Sequence, residues 1–192
     1  MALPIPVDGR IEGLADDPDI RTLIHVLARN EDRRHKCYLD SEGIPTIGIG
    51  CNLERPEARA RIAGMGLDCD EVIAGRQTLT DEQIDSLLAD DLATAISDAR
   101  DLIANFDTLT IARQIVLVDM AFNLGKPRLA NFRKMIAAIG AGDWEEAAAQ
   151  MKDSRWYRQV KTRGDRNVAV MRTGTLVADY VLPGSGGNPT VA

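Results

Sequence analysis

Apolar positions along this chain alternate between two spacings, and the changes of spacing mark its elements. Ile20, Leu23, Ile24 and Leu27 recur at helical intervals behind Asp17, which suits an N-cap, and Pro18, which suits a first helical position. That pattern predicts a helix ending near Glu31. From Lys36 to Asn52 the period shortens to two, with Cys37-Tyr38-Leu39, a turn cluster at Asp40-Ser41-Glu42-Gly43, and Thr46-Ile47-Gly48-Ile49-Gly50. This reads as a small antiparallel sheet. After an Arg- and Ala-rich stretch, Thr80-Asp81-Glu82-Gln83 has the form of a capping box. Ile84, Leu87, Leu88, Leu92 and Ile96 follow on one face, so a long helix begins at Thr80. Residues 110 to 123 are apolar nearly all round, as in a helix enclosed by others. Shorter helical patterns occupy 131–139, 144–151 and 163–180, separated by Gly140-Ala141-Gly142-Asp143 and by 152–162.

The order helix, small sheet, long helix, helical bundle predicts an α+β chain that is mostly α. Composition agrees: 45% hydrophobic and 27% charged residues are ordinary globular usage, and 4% aromatics leave little material for a β-sandwich core. Residues 1–16 lack periodicity and read as a flexible extension. The stretch 181–192, with Pro183-Gly184-Ser185-Gly186-Gly187, reads as a flexible tail around a domain at 17–180.

A formal charge of -6 argues against a nucleic-acid partner, whose phosphates call for a basic face. Cys37, Cys51 and Cys69 form neither a disulfide framework nor a zinc cage, so no metal and no cofactor are expected. The start Met1-Ala2-Leu3-Pro4-Ile5-Pro6 lacks a secretory pattern, and no segment has the length of a membrane span. Synthesis in the cytoplasm, with free thiols and without membrane insertion, is the expectation.

The chemistry is sought among carboxylates. Glu31 closes a helix, Asp40 opens a turn nine residues on, and Thr46 begins the next strand, so one chain reversal can aim all three into a shared cleft. Glycoside hydrolysis needs a carboxylic acid to protonate the leaving oxygen and a carboxylate to activate water or attack the sugar. Glu31 and Asp40 are such a pair, although among 29 acids the pair alone is a weak signal.

The stretch from Glu31 through Asp40 and Thr46 to Gly50 resembles, position by position, the active-site region of the T-even phage lysozymes, glycoside hydrolase family 24. Asp153-Ser154-Arg155-Trp156-Tyr157-Arg158-Gln159, Arg166 and Arg172-Thr173-Gly174-Thr175 resemble that family's carboxy-terminal lobe. Ala121-Phe122-Asn123-Leu124-Gly125 and Trp144-Glu145-Glu146 also fit, so the likeness covers roughly residues 20 to 177. It implies a lysozyme-like two-lobed fold: a small sheet lobe at about 32–79, a connecting helix from 80, a helical lobe to 180, and a substrate cleft between.

The resemblance further implies Glu31 as general acid, with Asp40 and Thr46 placing the attacking water and inverting the anomeric carbon. For inversion the carboxyls should stand about 6.5–9.5 Å apart. Arg163 matches the cation that pairs with the acid. Substrate contacts carry over to Glu42, Gly50, Asn52, Phe122, Asn123, Met135, Gln150 and Arg155. The implied partner is the peptidoglycan glycan strand, cut for host cell lysis by a monomer that reaches the periplasm and wall after holin-like release.

Three positions depart from the family. Cys51 replaces a histidine, so that residue's ion pair with the position of Asp91 cannot form; Asn52 replaces a leucine and Met135 a serine. His35 and Cys37 lack a second couple for a metal, Cys37 and Cys51 are candidates for a cross-link across the sheet, and Trp144, Trp156 and Tyr157 read as packing. Rival readings are a lytic transglycosylase, which needs no water, and a non-catalytic peptidoglycan-binding module.

Overall fold

The computed structural model describes residues 3–4, 17–31, 33–40 and 42–182; most of the N-terminal extension and the tail beyond Leu182 lie outside them. Helix α1 (Pro18–Asn30) starts where the sequence places it, with the Asp17 carboxylate accepting from the N–H groups of Asp19 and Ile20. It buries Ile20, Leu23, Val26 and Leu27 and stops at Asn30. Glu31 turns to extended backbone while its N–H still reaches the Leu27 carbonyl at 2.8 Å.

The sheet is antiparallel in the order β1 (Arg34–Leu39), β2 (Pro45–Gly48), β3 (Cys51–Asn52). Tyr38 faces Thr46, and Thr46 in turn faces Asn52. β2 therefore separates Cys37 from Cys51 by two interstrand spacings, about 9–10 Å, which is beyond disulfide reach. All three cysteines are free. Two short helices, α2 (Pro56–Gly64) and α3 (Cys69–Ile73), fill the stretch before Thr80.

Helix α4 (Asp81–Leu102) carries the capping box in full: Gln83 N–H donates to Thr80 Oγ1 and Thr80 N–H to Gln83 Oε1. Its 22 residues span about 33 Å and run from the sheet to the C-terminal helices. Helix α5 (Ile111–Leu124) is the enclosed one, with every residue from Ala112 to Ala121 buried against α1, α4, α10 and α6. The remaining helices are α6 (Lys126–Leu129), α7 (Arg133–Ala141), α8 (Trp144–Lys152), α9 (Arg155–Val160) and α10 (Thr162–Thr173).

Three features differ from the sequence reading. α9 lies inside a stretch read as a connection; at six residues it is too short to show a period. α10 ends at Thr173 and not at 180, because Gly174 turns left-handed (φ +74°) and its N–H closes the helix on Val170. The chain then returns through a 3-10 turn, Ala178–Tyr180, that sets Tyr180 against α1. Finally, Leu3 falls in the extension read as flexible, yet it is buried, with its N–H on Gln114 and its carbonyl on Arg100. Among the described residues no helix is long and apolar enough to cross a membrane, and no group of side chains has the makeup of a metal site.

Candidate active site

The C-terminus of α1, the β1–β2 turn and the strands meet α5 and α9 along an open groove. Glu31, Asp40, Thr46, Glu42, Gly50, Asn52, Phe122, Asn123 and Arg155 all line one cavity of about 920 Å³ in it. A second cavity of about 980 Å³ shares Glu42, Leu124, Arg128, Arg155, Trp156 and Gln159 with the first, and so continues the groove. Met135 and Gln150 line this second part. Met135 is fully buried and meets it as floor, whereas the Gln150 amide is already tied to Glu146 at 2.8 Å.

Glu31 owes its position to the end of α1, since leaving the helix there swings the side chain outward. Gly50 packs beside it and is called for by its left-handed backbone (φ +74°) more than by space: a Cβ there would lie 3.7 Å from the Glu31 carboxyl carbon and 3.4 Å from the Phe122 ring, ordinary contact distances. Behind the carboxyl stands Arg163, whose Nη1 donates to Glu31 Oε1 at 2.5 Å.

Arg163 is only 8% exposed, and burial alone works against its charge. The carboxylates of Asp119 and Glu31 outweigh that and hold its pKa above the usual arginine value. Asp119, on α5, binds the guanidinium by its Nε and Nη2 and also accepts from Asn30 and Asn167. The Tyr180 hydroxyl donates to Asn167 Oδ1 at 2.7 Å and accepts from Asn30 Nδ2 at 3.3 Å. Burial, then Asp119, pushes the Tyr180 phenol up to about 12.

Asn30, Asp119, Asn167 and Tyr180 were missed from sequence. One signal was available, because Asp119 is the lone acid between Ile111 and Leu124 in a run otherwise read as core.

Asp40 sits at the head of its turn. Its Oδ1 accepts the N–H groups of Glu42 and Ile44 at 2.8 and 2.9 Å, while Oδ2 makes no hydrogen bond among the described residues. Thr46, buried at the foot of β2, donates its hydroxyl proton to the Ile44 carbonyl at 3.0 Å, which leaves the oxygen's lone pairs as acceptors. The groove therefore brings together a carboxyl beside a cation, a carboxylate with one free oxygen, and a hydroxyl oriented as acceptor. Such a set can donate a proton on one side and hold water on the other.

The family departure at Cys51 has a structural counterpart. Burial, with help from Asp91, pushes the Cys51 thiol up to about 12. The cation for Asp91 comes instead from α2: Arg61 Nη2 reaches Asp91 at 2.9 Å, and Nη1 reaches Asp90 and the Leu87 carbonyl. His35 points its Nδ1 at the Leu79 carbonyl, with Nε2 3.6 Å from Asp81. Trp144 is stacked under Arg113 and Trp156 is buried edge-on to Phe132, so both pack as read. Trp156 also fronts the groove, and its Nε1 holds Asn123 Oδ1 at 2.9 Å.

The sequence model of the phage lysozyme family matches residues 28–171. The pre-baseplate central spike protein Gp5 of Enterobacteria phage T4 is 34% identical over 168 residues, covering 84% of this chain and 29% of that protein. Probable T4-type lysozyme 2 of Dictyostelium discoideum is 28% identical over 165 residues, or 82% of this chain and 97% of its own length. The peptidoglycan hydrolase gp36 of Enterobacteria phage SP6 is 29% identical over 154 residues, 79% of this chain and 15% of that protein. The chain thus spans under a third of the two phage relatives and nearly all of the Dictyostelium one.

Proposed function

This chain belongs to the phage lysozyme family, and on that premise we propose that it hydrolyses the β-1,4 bond between N-acetylmuramic acid and N-acetylglucosamine in bacterial peptidoglycan. Glu31 protonates the leaving glycosidic oxygen. Asp40 takes a proton from a water that Thr46 also holds, and that water attacks the opposite face of the sugar, inverting the anomeric carbon. Arg163 keeps the Glu31 carboxyl in one orientation. The amides of Asn52 and Asn123, the Glu42 carboxylate and Arg155 meet the polar edge of the strand, and Phe122 packs against its ring faces.

The observation that carries this reading is that the Glu31 and Asp40 carboxyls and the Thr46 hydroxyl line one cavity, with Glu31 alone of the carboxyls there bonded to a buried guanidinium. It is tested by clearing of permeabilised Gram-negative cells. Glu31→Gln should lower the rate by at least about a hundredfold, whereas equal clearing by both proteins would refute the assignment of the acid. Mass spectrometry of the muropeptides should find reducing ends, and mainly 1,6-anhydro ends would identify a transglycosylase instead.

A further inference from the structure

Asp119 touches neither the groove nor solvent, yet it is the most heavily bonded carboxylate near Glu31. Arg163 grips it with two parallel hydrogen bonds, Nε to Oδ2 at 3.0 Å and Nη2 to Oδ1 at 2.9 Å. Asn30 donates to Oδ1 at 3.0 Å and Asn167 to Oδ2 at 2.7 Å. Four N–H donors therefore meet the four lone-pair positions of an ionised carboxylate. Of the guanidinium, Nη1 faces Glu31 while the rest faces Asp119.

We propose that Asp119 is a positioning residue whose charge offsets that of Arg163 at Glu31: it matches the guanidinium from behind, so that Arg163 aligns Glu31 without holding it as an anion. The idea rests on the reading of Glu31 as proton donor. An unmatched guanidinium beside a carboxyl favours its charged form, and an acid already ionised cannot protonate a leaving oxygen. A second carboxylate behind the cation cancels most of that attraction and, by its own charge, disfavours another anion close by.

The other groups packed around the pair do not supply this charge. On α10, Arg166 is turned away to Asp179 at 2.7 Å, and Asp179 also takes Arg29 of α1 at 3.2 Å. Asn30 and Asn167 are neutral, and Tyr180 keeps its proton to about 12.

The test follows the Glu31 carboxyl by carbon-13 NMR titration, with the resonance assigned by Glu31→Gln, and the pH dependence of cell clearing. Both are measured in wild type, Asp119→Asn, Arg163→Gln and the double variant. Asp119→Asn should move the Glu31 titration and the alkaline limb of clearing down by about one pH unit or more, roughly tenfold in activity at a fixed alkaline pH. Arg163→Gln should move both up, and the double variant should return to within about half a unit of wild type.

Equal shifts in Arg163→Gln and the double variant overturn the proposal, and this comparison holds even if Asp119→Asn alone fails to fold. A pH-independent loss of activity in Asp119→Asn, with the titration unmoved, overturns it as well, since that is the signature of a purely structural residue. If Glu31→Gln clears cells like wild type, the reading of Glu31 fails and the proposal loses its catalytic meaning. The NMR shifts then still report whether the charge coupling exists.

Discussion

Replacing Gly164 by alanine sets two effects of opposite sign against each other, and the structure says which is larger. Gly164 is the third residue of α10 and directly follows Arg163. A methyl group there improves helix propensity by up to about 1 kcal/mol, less in a first turn. Against this, a Cβ at 164 would stand 2.7 Å from Tyr157 Cδ2 and 3.3 Å from both Tyr157 Cε2 and Val160 Cγ2. Carbon atoms rest at about 3.5–4.0 Å, so the ring would have to retreat by most of an ångström.

The ring is held at both ends: Tyr157 Oη donates to Asp165 at 2.5 Å, and its backbone N–H is capped by Ser154 Oγ at 3.0 Å. Overpacking of this kind costs about 1–3 kcal/mol. The net loss should be about 1–2 kcal/mol, or about 2–8 °C in Tm for a domain of this size.

Activity should fall further than stability, because the same displacement moves the first turn of α10 and with it the guanidinium on Glu31. At a temperature where the variant is folded by circular dichroism, clearing should drop about tenfold. Adding Tyr157→Ala removes the obstruction and should restore most of the rate. A Gly164→Ala protein that melts higher than wild type and clears cells at full speed would show that the ring yields freely, and the argument would fail.

Arg61→Met keeps the apolar stem but strips the cation from Asp91, which is 14% exposed. A fully buried pair broken this way costs about 3–5 kcal/mol; partial hydration lowers the expectation to about 2 kcal/mol in urea unfolding, and a loss under about 0.5 kcal/mol would mean that Asp91 does not depend on Arg61. Tyr180 makes stability sensitive to alkali. Its phenol keeps a proton to about 12 in the folded chain, while an unfolded tyrosine loses it near 10. The contribution is therefore complete below about pH 10 and drains away as pH rises toward about 12, at up to about 1.4 kcal/mol per unit. Tyr180→Phe should flatten that slope, at the expense of the hydrogen bonds to Asn167 and Asn30 at neutral pH; parallel alkaline curves for the two proteins would refute the assignment.

The parts of this molecule legible in its sequence are those whose determinants are local. Asp17 with Pro18, and Thr80 with Gln83, cap α1 and α4 through side chains within three residues of the backbone they satisfy. Glu31, Asp40 and Thr46 lie within sixteen positions, and a single reversal at Asp40 brings them to one groove. Asp119 escaped notice because its partners come from 44, 48 and 89 residues away and no local pattern announces them. The end of α10 differs from the sequence pattern for another reason: Val177 and Tyr180 continue an apolar spacing past Gly174, although the helix itself stops at that glycine.

Net charge gives a poor account of how this chain would meet an anionic wall. Many of its arginines are matched: Arg29, Arg33, Arg59, Arg61, Arg76, Arg100, Arg166 and Arg172 each bond a carboxylate. Along the groove several cations stay unmatched. Arg133, Lys134 and Arg155 line it without an ion pair among the described residues, and Arg128 approaches Glu42 only at 4.0 Å. At physiological salt a charge is felt over about 8 Å, so for a strand lying in the groove these cations are offset by the acids that line it with them, Asp40, Glu42 and Asp153, and not by acids on the far surface. The total of -6 governs solubility and distant encounters. On the proposed function, contact with a glycan strand would be governed by the charges left unmatched where that strand would lie.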